Sequence, residues 1–256
     1  MKRRIAVKVG SNVLTRADGN LDFTRMSALV DQIVELRRRD FDVVLISSGA
    51  VASGRGELRE DVPPPDEVAA RQLFASVGQA KLMNRYFELF RNAGMLCGQV
   101  LTTKEHFSTR EHYRNQKRCV EVMLAHGVVP VVNENDAVSV TELMFTDNDE
   151  LSGLIAEMIG ASALVILSNV DGVFDGDPAA PSSRVIREIR AGDEIGKFIS
   201  AKKSEQGRGG MESKCGVARR IAAAGVPVVI ANGRREDILL KIFDDPAGTV
   251  CTRFFA

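Results

Sequence analysis

Residues 4–50 read RIAVKVGSNVLTRADGNLDFTRMSALVDQIVELRRRDFDVVLISSGA, and the fold class follows from how their apolar residues are spaced. Arg4 to Val9 is a short, β-branched apolar run of strand character. Met26, Leu29, Val30, Ile33 and Val34 then fall on one helical face, with Asp22 or Thr24 placed to cap it. Asp42 to Ile46 is a second apolar strand.

The same alternation continues outward. Strands are expected at Met95–Leu101, Val128–Asn133, Ala163–Ser168 and Val226–Ile230. Helical periodicity occupies roughly Glu67–Arg91, Arg110–Ala125, Leu151–Ile159 and Glu212–Ala224. Such a chain predicts an α/β fold, an αβα sandwich whose central sheet is mostly parallel and covered on both faces. Two stretches break the rhythm: Ala137–Thr146 alternates like a hairpin, and Asp171–Ser183 is rich in Asp, Gly, Pro and Ser. The run Pro63-Pro64-Pro65 reads as a stiff surface turn before a long helix.

Composition narrows the function classes. The chain has 256 residues, enough for a sizeable core in one domain spanning 1–256. Lys plus Arg and Asp plus Glu balance at 34 each, so no overall positive field exists to hold nucleic acid or an anionic membrane. Cys97, Cys119, Cys215 and Cys251 form no C-x-x-C pair, which suggests free thiols in a reducing compartment. No apolar stretch approaches the ~18 residues of a membrane span, so a cytoplasmic location is expected.

In an open parallel sheet, ligands collect at the carboxyl ends of strands, and the polar residues of this chain concentrate there. The first strand ends Lys8-Val9-Gly10-Ser11. A lysine inside an apolar strand lies either at a frayed, wet edge or beside a compensating charge. The second strand ends Ser47-Ser48-Gly49-Ala50, where a helix begins and free amides can meet a carboxylate or phosphate. Asn133-Glu134-Asn135-Asp136 follows the fourth strand, and Asp147-Asn148-Asp149-Glu150 opens a helix. Capping needs one such residue, not four. Ser168-Asn169 ends the fifth strand. Gly207-Arg208-Gly209-Gly210-Met211-Glu212-Ser213-Lys214 heads a helix as a phosphate-cradling loop does, without the spacing of a Walker A loop.

Two lysines and several carboxylates, with His106, His112 and His126 away from them, do not indicate acid–base chemistry. They suit phosphoryl transfer to a nucleophile already ionised at neutral pH, where catalysis reduces to alignment and charge neutralisation.

Taken in order, Lys8–Ser11, Ser47–Ala50, Val129–Val138, Asp147–Ser152 and Gly209–Lys214 resemble the amino-acid kinase family, and within it the branch that phosphorylates glutamate. The related carbamate, acetylglutamate, uridylate and isopentenyl phosphate kinases usually carry a Gly-Gly-rich turn where this chain has Ser47–Ala50. The resemblance implies an ATP-dependent kinase using Mg²⁺ bound mainly through phosphates and water, with no metal held by protein ligands alone. Its acceptor would be the L-glutamate side-chain carboxylate, in the first step of proline biosynthesis. It implies that Lys8 and Lys214 neutralise the transferring phosphoryl group and that Asp149 holds both. Ser48, Gly49, Asn133, Asp136, Asp147 and Asn148 would grip the acceptor. Lys8, Gly10, Ser168, Asn169 and the loop Arg208, Gly209, Gly210, Met211, Glu212, Ser213 and Lys214 would bind the nucleotide. Residues up to about 150 would form the acceptor part and the rest the nucleotide part. A homo-oligomer is implied, with glutamyl phosphate reductase as a candidate partner. Asn169, Phe174 and Arg208 depart from the residues usual in the family, Asp, Tyr and Thr. Many relatives continue into an RNA-modification-type domain, so this chain reads as a kinase-only form. The alternatives are another carboxylate or phosphate acceptor on the same fold, or an amino-acid sensor that has lost transfer.

Overall fold

The first strand, β1 (Arg3–Val9), divides its side chains between two apolar layers. Successive strand residues point to opposite faces; Ile5, Val7 and Val9 enter one core and Ala6 the other. Lys8 has the parity of Ala6 and is carried to that second face with only 4% of its surface exposed. The buried position, not the frayed edge, is therefore the correct one of the two expected for it.

The computed structural model describes residues 2–16, 18–58, 66–139, 145–194 and 210–256. Within them β1 sits near the middle of an eight-stranded sheet. The order is β3 (Leu96–Thr102), β4 (Val128–Glu134), β2 (Phe41–Ser47), β1, β5 (Ala163–Ser168), β7 (Val228–Asn232), β8 (Thr252–Phe254) and β6 (Glu188–Ile189). Among the described residues the pairings are parallel except β7 with β8. Helices α1 (Ser11–Leu14), α2 (Phe23–Arg38), α4 (Glu67–Asn92) and α8 (Ile238–Asp244) cover the Ile5 face. Helices α5 (Arg110–Ala125), α6 (Asn148–Met158) and α7 (Met211–Ala223) cover the Ala6 face. The chain leaves β1 toward β2 on one side and later returns as β5 on the other. This is a topological switch point, where a crevice opens beyond the strand ends.

Element boundaries move where local chemistry outweighs apolar spacing. Asp22 caps α2, accepting a hydrogen bond from the Arg25 amide at 3.1 Å. Helix α6 begins at Asn148 rather than Leu151, because Asp147 caps a first turn that is polar and invisible to apolar periodicity. β7 begins at Val228 instead of Val226, since Pro227 has no N–H to give a ladder. The short strands β6 and β8 are too brief to carry a pattern. Of the expected hairpin at Ala137–Thr146, residues 140–144 lie outside the described residues, and Val138 and Ser139 turn back onto the Asn135 carbonyl. The Pro63-Pro64-Pro65 run also lies outside them. No helix among the described residues is long and apolar enough to cross a membrane.

Helix α3 (Ala50–Glu57) starts directly after β2 and crosses α4 with the two backbones in contact. A Cβ on Gly54 would lie 1.8 Å from the Phe74 carbonyl oxygen, and one on Gly78 would lie 1.8 Å from that of Ala50. Neither backbone can yield without moving its helix. Gly78→Ala is therefore expected to cost about 1–3 kcal/mol of stability by overpacking. Thermal denaturation would show this as a melting point lower by several degrees; an unchanged melting point would mean that the crossing has room to spare.

Candidate active site

At the carboxyl end of β1 the Lys8 ammonium stands 2.6 Å from Oδ1 of Asp149, and Lys214 stands 3.1 Å from Oδ2 of the same carboxylate. Three elements supply this cluster: the strand β1, the first turn of α6 and the first turn of α7. Asp149 is fully buried. Burial pushes its carboxyl up, but the two ammonium groups together outweigh that and hold it below its ordinary value. The cluster carries one net positive charge, suited to an anion arriving from the cavity.

Asp147 fixes the geometry. Its Oδ1 accepts from the Asp149 and Glu150 amides at 2.9 and 3.0 Å, and its Oδ2 accepts a short hydrogen bond from the Ser213 hydroxyl. The heads of α6 and α7 are thus tied at two points, Asp147–Ser213 and Asp149–Lys214. Asp147 was expected on the acceptor side; it lines the cavity, but both of its oxygens serve the framework.

The cavity beyond these groups has a volume of ≈ 420 Å³. It brings together most residues singled out from the sequence: Lys8, Gly10, Ser48, Gly49, Asn133, Asp136, Asp147, Asn148, Asp149, Ser168, Asn169 and Lys214 all line it. One end is built by amides and hydroxyls. Asn148 Nδ2 donates to Ser48 Oγ and to Asn133 Oδ1, both at 2.9 Å, and Asn133 donates to Gln79 Oε1 at 2.9 Å. This chain of bonds turns Asn148 so that its buried Oδ1 has no hydrogen-bond partner among the described residues. A buried acceptor without such a partner, on a residue that lines the cavity, is suited to a ligand donor that reaches it. Gly49, at the N-terminus of α3, has φ 109°, a conformation that suits glycine and lets the chain enter the helix directly from the strand.

At the other end, Gly10 and Ser168 stand at the ends of the neighbouring strands β1 and β5, where the Gly10 amide donates to the Leu167 carbonyl at 3.2 Å. Asn169 follows. Gly210 caps α7 with its backbone alone, while Met211, Ser213 and Lys214 are half-buried and Glu212 points outward. Gly210, Met211, Glu212 and Ser213 are not among the cavity-lining residues. Arg208 and Gly209 lie outside the described residues. The loop after Asn169 is pinned by Arg235, whose Nε and Nη2 reach Asp171 at 2.6 and 2.7 Å.

Three residues with a place here were not singled out from the sequence. Arg71, on α4, enters the cavity wall and donates to Oδ1 of Asp136 through Nε at 2.9 Å and through Nη2, which also reaches Glu134 Oε2 at 3.2 Å. Burial and the neighbouring Asp136 push the Glu134 carboxyl up to about 7, and burial raises Asp136 as well. Gln79, also on α4, supports Asn133. Arg71 and Gln79 lie far along the chain from the motifs, on a helix whose crossing with α3 brings them here, whereas Glu134 belongs to the Asn133–Asp136 cluster itself. Of the histidines, His106 closes a 3-10 turn, His112 lies in α5 and His126 ends α5.

A model of the amino acid kinase family matches residues 3–232. Glutamate 5-kinase of Bacteroides thetaiotaomicron is 62% identical over 251 residues, covering 98% of this chain and 69% of that protein. Glutamate 5-kinase of Symbiobacterium thermophilum is 40% identical, covering 98% of this chain and 96% of that one. Among solved structures, UMP kinase from Ureaplasma parvum superposes with a TM-score of 0.64 at 15% identity, covering 100% of both chains. Isopentenyl phosphate kinase of T. acidophilum does so with a TM-score of 0.68 at 15% identity, covering 98% of this chain and 99% of that one. These two share the fold.

Proposed function

This chain belongs to the amino acid kinase family and, within it, to the glutamate 5-kinases, and from that premise we propose that Lys8, Asp149 and Lys214 transfer the γ-phosphoryl group of ATP to the side-chain carboxylate of L-glutamate. The observation that carries this reading is the pair of ammonium groups held on one buried carboxylate at the floor of a cavity. An oxygen of the γ-carboxylate attacks phosphorus in line, the bond from phosphorus to the bridging oxygen breaks, and ADP leaves. No base is needed, because the acceptor is ionised at neutral pH. Lys8 and Lys214 face the oxygens on which charge is spread, and Asp149 keeps them in position before the reaction.

The acceptor lies at the amide-rich end. Its ammonium group is directed to Asp136 and to the open Oδ1 of Asn148, and its α-carboxylate to Ser48, Gly49 and the N-terminus of α3. ATP occupies the other end, along Gly10, Ser168, Asn169 and the head of α7. The acceptor part is then the chain up to about residue 150 and the nucleotide part the remainder. Asp149, the carboxylate nearest the transfer point, is already engaged by two lysines. Mg²⁺ would therefore be held by ATP phosphate oxygens and water, neutralising the phosphate charge. The exposed Cys119 and the buried, unpaired Cys97, Cys215 and Cys251 fit a reducing cytoplasm.

The test is ADP release from Mg-ATP with L-glutamate, L-aspartate, N-acetyl-L-glutamate or no acceptor, with hydroxylamine to trap an acyl phosphate. Glutamate-dependent hydroxamate is expected; turnover only with another acceptor would overturn the glutamate reading. In the same assay Asp136→Ala is expected to raise the glutamate KM by about tenfold or more with kcat little changed, as loss of uniform binding does. A fall confined to kcat would move Asp136 to the transfer step.

A further inference from the structure

The contacts of Arg71 are asymmetric: two of its nitrogens take the same oxygen of Asp136, and one of those two reaches on to Glu134. We propose that Arg71 is a specificity-determining positioning residue, which orients the Asp136 carboxylate and lowers the charge of a two-carboxylate pocket to what one ammonium group satisfies. The proposal rests on the reading that Asp136 receives the ammonium group of the acceptor.

Glu134 and Asp136 are both buried, and their side chains lie close enough to influence each other's ionisation. Two carboxylates so placed would bind a lone cation well, but glutamate brings two carboxylates of its own. Without a countercharge, the pair would repel the substrate to the extent that both are ionised, and would otherwise share a proton where the ammonium group has to bind. Arg71 supplies that countercharge from within the wall, its side chain 21% exposed and able to sense the cavity. It is anchored from behind: α4 cannot slide against α3 because Gly54 and Gly78 interlock their backbones, and α3 carries Gly49 at its head. Glu134 is anchored too, its Oε1 accepting from the Phe145 amide at 2.9 Å. The arrangement thus selects a zwitterionic amino acid, since an acceptor lacking the ammonium group gains nothing from Asp136.

The transfer centre is built from other elements, so the charge of this pocket should act on acceptor binding and leave transfer alone. Steady-state kinetics on Arg71→Met, Arg71→Lys, Glu134→Gln and the double variant Arg71→Met/Glu134→Gln test this. Arg71→Met is expected to raise the glutamate KM by about tenfold or more, with kcat and the ATP KM within about threefold of the parent. Arg71→Lys, which keeps the charge and loses the fork, should fall between. Adding Glu134→Gln to Arg71→Met removes one carboxylate and should recover much of the lost affinity, which a purely structural role for Arg71 would not produce. A parental glutamate KM in Arg71→Met, or no recovery in the double variant, would overturn the proposal. If Arg71→Met does not fold, Arg71→Lys carries the test, and a parental KM there overturns it. Asp136→Ala separates the two levels: an unchanged glutamate KM in that variant sinks the acceptor reading itself, whereas a raised one with no effect at Arg71 sinks only this inference.

Discussion

Lys214→Ala is expected to lower kcat for glutamate phosphorylation by about 10²-fold or more, with smaller changes in the KM of either substrate. Lys214 sits in the first turn of α7, the helix proposed to head the nucleotide side, and its ammonium group reaches Asp149, 3.1 Å away. A cation there is worth most when negative charge spreads over the transferring phosphoryl oxygens, and less when ATP merely rests in place. Its removal should therefore weigh on the transition state more than on binding. The protein should remain folded, since Lys8 still neutralises Asp149 at 2.6 Å. Single-turnover measurements with saturating ATP and glutamate would check this, and an unchanged rate of the chemical step would remove Lys214 from the mechanism.

Asp149→Ala is expected to be more damaging, because it strikes fold and chemistry together. The two ammonium groups would face each other across the floor of the cavity with no anion between them. Breaking a buried ion pair by deleting one partner costs about 3–5 kcal/mol, most of it from the charge left behind. Denaturant unfolding should show that loss, and kcat should fall at least as far as in Lys214→Ala. The pH dependence has a definite sign. The folded carboxyl lies below the ordinary 3.8, so the contribution of Asp149 is complete above that pH and is lost only as pH falls through the lower folded value. Parent and Asp149→Asn should accordingly converge in stability only in strong acid; equal stability at neutral pH would contradict the role given to this cluster.

The elements of this molecule differ in how far the sequence discloses them, for physical reasons. β1, β2, β4 and β5 are buried on both faces and stand out as apolar runs, and α2 and α5 present one apolar stripe each. The clusters at Asp136 and Asn148 were visible because polar residues exceeded what capping requires. Arg71 was not, since it is one of many Lys and Arg residues and its place depends on how α4 crosses α3. The same crossing gives Gly54 and Gly78 their purpose, which neither flanking sequence discloses. Asp147 looked like its neighbours Asn148 and Asp149, and only the hydrogen-bond pattern shows it holding two helix heads together. That Asp149 holds both Lys8 and Lys214 is implied by the resemblance and not by local spacing; strand parity explains why Lys8 turns toward α6.

In the proposed reaction a carboxylate oxygen of the amino acid attacks phosphorus directly at the Lys8–Asp149–Lys214 cluster. Glutamate labelled with ¹⁸O in its side-chain carboxylate, incubated with Mg-ATP, protein and hydroxylamine, tests it by mass spectrometry of the phosphate released. Hydroxylamine cleaves an acyl phosphate at carbon, so the bridging oxygen leaves with phosphorus. Phosphate carrying one carboxylate-derived ¹⁸O is expected together with glutamyl hydroxamate; unlabelled phosphate would mean that water, and not the amino acid, attacks ATP.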